Sequence, residues 1–169
     1  MDFKSSFEQN IETLKQFFDR DDMFTLKILV NEHQPNLKIA IALVNCMVNT
    51  ETVNRDIISP LCKMPITDDI ELVNNLGVFA HSAKLCDDFS EAVINIAAGD
   101  TVILIGDNAC AITIDTKGMK QRDVSAPETE LTITGPSEGF NENIVTNLSL
   151  VKKRIMSNNL KNEFVTLGK

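Results

Sequence analysis

Four glutamates between residues 128 and 142 are the side chains whose type and spacing best suit catalysis. They are Glu128, Glu130, Glu138 and Glu142. Two carboxyl groups that face each other across a cleft can act as acid and base in the hydrolysis of a glycosidic bond. Nothing in the sequence sets one pair apart, and each glutamate could equally cap a turn or pair with Arg122 or Arg154. A small hydrolase that uses the Glu128–Glu142 carboxylates is therefore one alternative for the function.

A turn rich in glycine and proline precedes the strongest helical pattern in the second half of the chain. Backbone N–H groups at the start of a helix can bind an anion. This turn lacks the Gly-Lys-[Ser/Thr] of a phosphate-binding loop, which argues against a nucleotide site. Pro136 fixes its φ angle, whereas Gly135 and Gly139 permit positive φ. The pattern favours a rigid turn that leads into the helix.

The histidines and cysteines do not have the spacing of metal ligands. His33 and His81 are far apart in the sequence. The four cysteines contain no Cys-x-x-Cys pair. They are Cys46, Cys62, Cys86 and Cys110. Each lies in or beside an apolar run, which is typical of reduced core cysteines in a reducing compartment. The sequence predicts no metal site and no cofactor.

The net charge of −8 argues against a nucleic-acid partner, which would require a basic surface. Residues 1–99 carry 8 basic and 15 acidic side chains, whereas residues 100–169 carry 8 and 9. This asymmetry indicates two units with a boundary near Gly99-Asp100. No apolar run approaches the roughly 18 residues of a membrane-spanning helix. The first residues show no signal-peptide pattern, so we expect the chain to be soluble.

Helical spacing of apolar residues predicts four main helices, over residues 5–20, 50–63, 88–98 and 140–156, and a short helix over 68–76. A capping box of Ser5 and Glu8 is expected to begin the first helix. Asn49 or Thr50 and Asp87 or Asp88 are expected to cap the second and third main helices. Gly99 is expected to end the third.

The last predicted helix has an apolar face and a polar face. The expected core stripe is Ile144, Leu148, Val151 and Ile155, and the opposite face carries Asn143, Asn147, Leu150 and Arg154. An arginine and an asparagine fixed on a polar helix face can hold a preceding acidic turn. We therefore expect Arg154, on the same face as Asn147, to pair with Glu138 or Glu130.

Apolar runs predict strands over residues 24–30, 37–44, 83–86, 101–105, 109–115, 130–134 and 162–167. The first two are expected to form a hairpin, and Gly106-Asp107-Asn108 is expected to join another. Lys117–Pro127 is polar and resembles a loop. The predicted fold class is α/β or α+β. It would consist of two small units, over residues 1–99 and 100–169, each with a few strands and packed helices.

Several motifs follow one another in a fixed order between Gly99 and Arg154. Gly99-Asp100 precedes an apolar strand, Arg122 follows, and then come Pro127-Glu128-Thr129-Glu130, Gly135-Pro136-Ser137-Glu138-Gly139-Phe140-Asn141-Glu142, and a helix with Asn147, Leu150 and Arg154. This series resembles the A subunits of the bacterial spore nutrient-germinant receptors, the GerA family. The resemblance is best over residues 99–169. Members of that family continue into several membrane-spanning helices, whereas this sequence stops at Lys169.

The resemblance implies the soluble N-terminal region of a germinant-receptor A subunit. Its role would be to sense a small nutrient, or to relay the signal to a membrane part. It implies a complex with B and C subunits and with other A subunits in the spore inner membrane. The chain would lie on the reducing, cytoplasmic side, and its second unit would be incomplete relative to the family. The resemblance implies no enzymatic activity, and a free-standing adaptor is a further alternative.

Overall fold

Five strands form one antiparallel sheet in the order β1-β2-β4-β5-β3. The computed structural model describes residues 1–75, 83–118 and 139–168. The strands are β1 (Phe24–Leu29), β2 (Ile39–Val44), β3 (Ala83–Cys86), β4 (Thr101–Ile105) and β5 (Ala111–Ile114). All residues of the inner strands β2, β4 and β5 are buried. This burial explains the continuous apolar runs of β2 and β4.

Helices pack on both faces of this sheet. They are α1 (Phe7–Phe17), α2 (Thr50–Thr52), α3 (Ser59–Lys63), α4 (Ile70–Asn75), α5 (Phe89–Ala98) and α6 (Ile144–Ile155). A π-helical segment, Val53–Ile58, joins α2 to α3. The backbone stays in the right-handed helical region on both sides of that segment. Residues 50–63 therefore form one helix, which we call the π-containing helix.

Each face of the sheet carries a separate hydrophobic core. Residues of α1 and α5 pack with Ala40, Ala42, Val102 and Leu104. The π-containing helix and α4 pack with Ile39, Ile41, Ile103 and Ile105 on the other face. Even-numbered residues of β2 and β4 face one core and odd-numbered residues face the other, because successive side chains of a strand point to opposite faces. Each fully buried isoleucine contributes about 1.5–3 kcal/mol to stability.

Strands from both sides of Gly99 pair in the same sheet. Ile39 and Ala42 of β2 lie opposite Ile105 and Val102 of β4. β3 pairs with β5 in the same way. The expected boundary between residues 1–99 and 100–169 falls in the turn between α5 and β4, and the sheet takes strands from both segments. The architecture is α+β, one of the two predicted classes.

Several predicted elements are confirmed with their caps. β3 and β4 have the predicted bounds, and both predicted strand pairs are antiparallel neighbours. The Asn49 side chain accepts hydrogen bonds from the first turn of the π-containing helix. Asp88 accepts a bond from Ser90 N–H at 2.7 Å, and Gly99 ends α5 with φ 100°.

The predicted capping box at the start of α1 is wrong. The N-cap position is Ser6, and its side chain makes no capping bond. Instead, the Phe7 N–H donates to Asp107 Oδ1 at 2.9 Å, from the turn between β4 and β5. The cap therefore comes from a residue 100 positions away, which no local pattern could indicate.

The predicted last strand, over residues 162–167, is also wrong, because these residues form no strand in the described structure. Phe164, Val165 and Leu167 are exposed. Part of this segment bonds to Asp22, outside the sheet. A strand requires a neighbouring strand that supplies a ladder of backbone bonds, and this position has none in the described chain. The predicted strand over 130–134 and His81 lie outside the described residues.

Candidate functional site

The Gly99-Asp100-Thr101 motif forms the tight connection between α5 and β4. Gly99 adopts a left-handed conformation, and its N–H and that of Asp100 bond to the last carbonyls of α5. A Cβ atom at Gly99 would lie 3.0 Å from both Cβ and O of Met47. A side chain here would meet both backbone strain and crowding. The glycine of the motif is thus required by the fold.

Asp100 and Thr101 attach this connection to the end of β5. Asp100 forms an ion pair with Lys117, whose ammonium also lies 3.6 Å from Asp115. The Thr101 and Thr116 hydroxyl oxygens are 2.8 Å apart in a buried hydrogen bond. We call Asp100, Thr101, Thr116 and Lys117 the β4–β5 junction. Sequence reasoning selected Asp100 but missed Lys117, which no motif marks.

Burial and pairing have opposite effects on the pKa values of the ionisable groups of this junction. Burial raises the pKa of the Asp100 carboxyl, and the neighbouring Lys117 ammonium only partly counteracts it. Burial alone would lower the pKa of Lys117, but the hydrogen bond and charges of Asp100 and Asp115 prevail and raise it. The two groups thus stabilise each other's charged form.

Gly118 packs directly on the cap of the π-containing helix. A Cβ atom at Gly118 would lie 2.2 Å from the Asn49 Cβ, a distance that no side chain could occupy. The Asn49 N–H donates to Thr116 O at 2.9 Å, and its side chain caps the helix. The chain that leaves β5 toward residues 119–138, which we call the motif region, is therefore fixed against the start of the π-containing helix.

The second half of the motif series leads into α6. Of its residues, Arg122, Pro127, Glu128, Thr129, Glu130, Gly135, Pro136 and Glu138 lie outside the described residues. Phe140 and Glu142 are exposed. Asn147 accepts a bond from Asn141 N–H at 2.9 Å and donates to Asn141 O at 2.7 Å. Asn147 thus holds the turn that precedes its own helix.

The expected core stripe of α6 is confirmed for Leu148, which packs against the core, but it is wrong for both ends of the helix. Ile144 and Ile155 are exposed, whereas Leu150 and Lys152 are buried. Lys152 Nζ lies 2.7 Å from Asp21 Oδ2 and 3.1 Å from Leu160 O. The buried side of α6 thus includes a charged side chain that the spacing of apolar residues did not indicate. Arg154 is exposed on the same helix.

Residues after α6 also attach to the turn between α1 and β1. The Lys161 ammonium donates to Phe17 O and lies 5.4 Å from the centre of the Phe18 ring. Burial lowers the pKa of Lys161. The Asp22 N–H donates to Asn162 O at 2.8 Å, and the Phe164 N–H donates to Asp22 Oδ2 at 2.6 Å.

We call Asp21, Asp22, Lys152 and Lys161 the C-terminal clasp. In the sequence, the acidic run at residues 19–22 coincides with the end of the first predicted helix and indicates no distant partner. The sequence features that could have indicated this contact are an acidic turn near the start of the chain and lysines near its end.

Neither a metal site nor a membrane helix is found in the described residues. Within residues 1–75, 83–118 and 139–168, no three His, Cys, Asp or Glu side chains are placed to bind a metal ion. No helix in these ranges has the length and apolar character to cross a bilayer. Cys46 and Cys86 are buried, Cys62 and Cys110 are half-buried, and all four are free.

Sequence comparison gives a family and named relatives. A family model described as Bacillus/Clostridium GerA spore germination protein matches residues 12–169. Spore germination protein KA of Bacillus subtilis (strain 168) is 24% identical over 159 residues, which are 92% of this chain and 29% of the relative. Spore germination protein GerLA of Bacillus cereus is 36% identical over 81 residues, 48% of this chain and 16% of the relative. This chain therefore spans less than a third of these relatives.

Structural comparison gives a solved domain with the same fold. It is the N-terminal domain of the A subunit of the Bacillus megaterium spore germinant receptor GerK3. The TM-score is 0.72 at 16% sequence identity, and the match covers 95% of this chain and 59% of that one. At such identity the likeness establishes the shared fold, and function has to be argued from other observations.

Proposed function

The chain belongs to the Bacillus/Clostridium GerA spore germination protein family, and from this membership we propose that it is the N-terminal domain of a germinant-receptor A subunit. A role in spore germination follows from the family. The shared fold with the GerK3 A-subunit domain supports the assignment to the A subunit. The domain would take part in the response of the spore to nutrients.

Within that response, we propose that the domain relays a conformational signal. The observation that carries this proposal is the attachment of the chain on both sides of residues 119–138. Before them, the β4–β5 junction and Gly118 connect the chain to the π-containing helix. After them, Asn147 holds the turn before α6, and the C-terminal clasp connects α6 to the turn between α1 and β1. A shift in the motif region would therefore bias both faces of the sheet at once.

The proposed partners and location follow from the same assignment. The domain would act with B and C subunits, and with other A subunits, at the spore inner membrane. It would lie on the cytoplasmic side, in the spore core. The free cysteines fit that reducing compartment. We propose no catalytic role, because Glu142, the described member of the four candidate glutamates, is exposed at the start of α6.

Germination assays on spores of the source organism test the proposal. Deletion of the gene should abolish or slow the loss of optical density after addition of at least one nutrient, and reintroduction should restore it. In a full-length protein present at normal amounts, Lys117→Met should slow the response, because it disconnects Asp100 from the chain that enters the motif region. Lys15→Met, at an exposed position of α1, is the matched control. A deletion strain that germinates normally with every nutrient tested would contradict the role.

A further inference from the structure

A groove with a volume of about 140 Å³ lies between strands β1 and β2 and the π-containing helix. Its floor includes the buried side chains of Ile41, Leu43 and Val53. Its rim includes the polar side chains of Thr25, Lys27 and Asn54. An apolar floor with a few polar groups is typical of small-molecule sites. The volume equals that of about five water molecules at roughly 30 Å³ each, so only a small solute would fit.

The rim of this groove carries a lysine but no carboxylate. No aspartate or glutamate lines it, and within the described part of the chain the Lys27 ammonium makes no hydrogen bond or ion pair. The larger cleft beside the β4–β5 turn differs. There Lys38 lies 2.8 Å from Glu8 and 3.6 Å from Asp107, so its charge is already compensated. In a chain with a net charge of −8, a groove with an uncompensated cation favours an anionic ligand.

One wall of the groove is the π-helical segment itself. Val53, Asn54 and Ile58 line the groove, and all three belong to Val53–Ile58. Val53 and Ile58 are five residues apart, which is the hydrogen-bond spacing of a π-helix. Such segments are rare, and they occur frequently at functional sites. The π-helical wall and the charge of Lys27 thus both favour a ligand site in this groove.

We propose that this groove binds a small aliphatic carboxylate. The ligand's carboxylate pairs with the Lys27 ammonium, and Asn54 and Thr25 supply further hydrogen-bonding groups at the rim. The aliphatic part lies on Ile41, Leu43 and Val53. The biological meaning of this site rests on the proposed function. A domain that takes part in the response to nutrients would have a binding site for a small solute. Binding itself can be measured without reference to germination.

Ligand-observed NMR with sodium isovalerate tests the site on the purified chain. A seven-atom ligand in so small a groove should bind with a dissociation constant of roughly 1 mM. Lys27→Met removes the charge and keeps the length of the side chain, and it should weaken binding about tenfold or more. Lys84→Met on the opposite edge strand should bind as the wild type does. Isovaleramide, the neutral analogue, should bind as weakly to the wild type as isovalerate binds to Lys27→Met.

A second variant separates loss of the site from loss of the fold. Asn54→Phe fills the groove from its exposed rim and should abolish binding, while circular dichroism shows an unchanged fold. Absence of isovalerate binding to the wild type would overturn the site. Equal binding by Lys27→Met and Lys84→Met would overturn it as well. Neither result bears on the relay role, which the spore assays test separately.

Discussion

Lys152 is a lysine whose ammonium group lies in the protein interior, 2.7 Å from the carboxylate of Asp21. The two side chains are only 6% and 1% exposed. Taking both charges out of water costs several kcal/mol for each ion, and their attraction and hydrogen bonds offset this cost. Met23 N–H also donates to Asp21 at 3.2 Å, and Leu160 O accepts from Lys152. Removal of either partner would leave an uncompensated buried charge.

We therefore predict that Lys152→Met lowers the free energy of unfolding by about 3–5 kcal/mol. The neighbouring Lys153→Met, at an exposed position, is the matched control and should change it by less than about 0.5 kcal/mol. Urea denaturation measures both values. Combination of Lys152→Met with Asp21→Leu should recover part of the loss, because no buried charge then remains. A Lys152→Met protein as stable as the control would show that the pair does not hold α6 in place.

A separate prediction is that Arg154 pairs with Glu138 or Glu130 and so holds the acidic turn before α6. Because Arg154 is exposed, we expect Arg154→Ala to cost about 1 kcal/mol or less. Arg154→Lys should recover only part of a bidentate contact. Double-mutant cycles by chemical denaturation, with Glu138→Ala and with Glu130→Ala, measure the coupling. Strictly additive losses in both cycles would leave Arg154 for contact with a partner subunit.

Helix α1 depends on a distant element for its first turn. The Asp107 carboxylate accepts the Phe7 N–H, and it also lies 3.6 Å from Lys38 Nζ. The bond from Phe7 N–H lowers the pKa of Asp107. The turn between β4 and β5 thus caps α1 in place of the helix's own N-cap serine. The start of α1 is coupled to the sheet through one side chain.

We predict that Asp107→Ala lowers the urea midpoint, whereas Ser6→Ala leaves it almost unchanged because the Ser6 side chain makes no capping bond. The contribution should depend on pH. Since the pKa of Asp107 is lower in the folded state, its stabilisation is complete above about pH 4 and is lost as the pH falls through the folded pKa. Urea midpoints between neutral and acidic pH should therefore converge for wild type and Asp107→Ala. A larger loss for Ser6→Ala would instead show that the Ser6 side chain caps α1.

At the scale of the whole molecule, one sheet and its two cores connect both halves of the sequence. β2 from the first segment pairs with β4 from the second, and β3 pairs with β5. The cores on both faces also combine residues from before and after Gly99. The C-terminal clasp adds a further contact, between α6 and the turn after α1. Unfolding of the second segment alone would leave β2 without β4 and β3 without β5.

We accordingly predict a single cooperative unfolding transition, with coincident curves from circular dichroism and from a probe on α6. A fragment of residues 1–99 should not fold by itself, because β2 would lose its neighbour β4 and β3 would lose its neighbour β5. The control is the same fragment mixed with residues 100–169, which should regain secondary structure. Two separate transitions, or a folded 1–99 fragment, would instead support the division into two units that the charge asymmetry suggests.

Local elements were predictable from the sequence because short-range patterns dictate them. Apolar runs gave β2 and β4, and helical spacing gave α5 with its Asp88 cap and its end at Gly99. These features depend on neighbours within a few residues. The motif series between Gly99 and Arg154 likewise gave the family, since the order of several motifs is a property of the sequence alone.

Long-range contacts were decided only by the tertiary structure. The pattern of α6 placed Ile144 and Ile155 in the core, whereas both are exposed and the buried Lys152 pairs with Asp21, 131 residues away. Asp107 reaches α1 across 100 residues, and Lys117 reaches Asp100 across 17. A sequence pattern records which side chains can pair, whereas their selection depends on which ones the packed sheet brings within hydrogen-bond distance. The orientation of α6, the cap of α1 and the joining of both segments in one sheet therefore became visible only in the folded molecule.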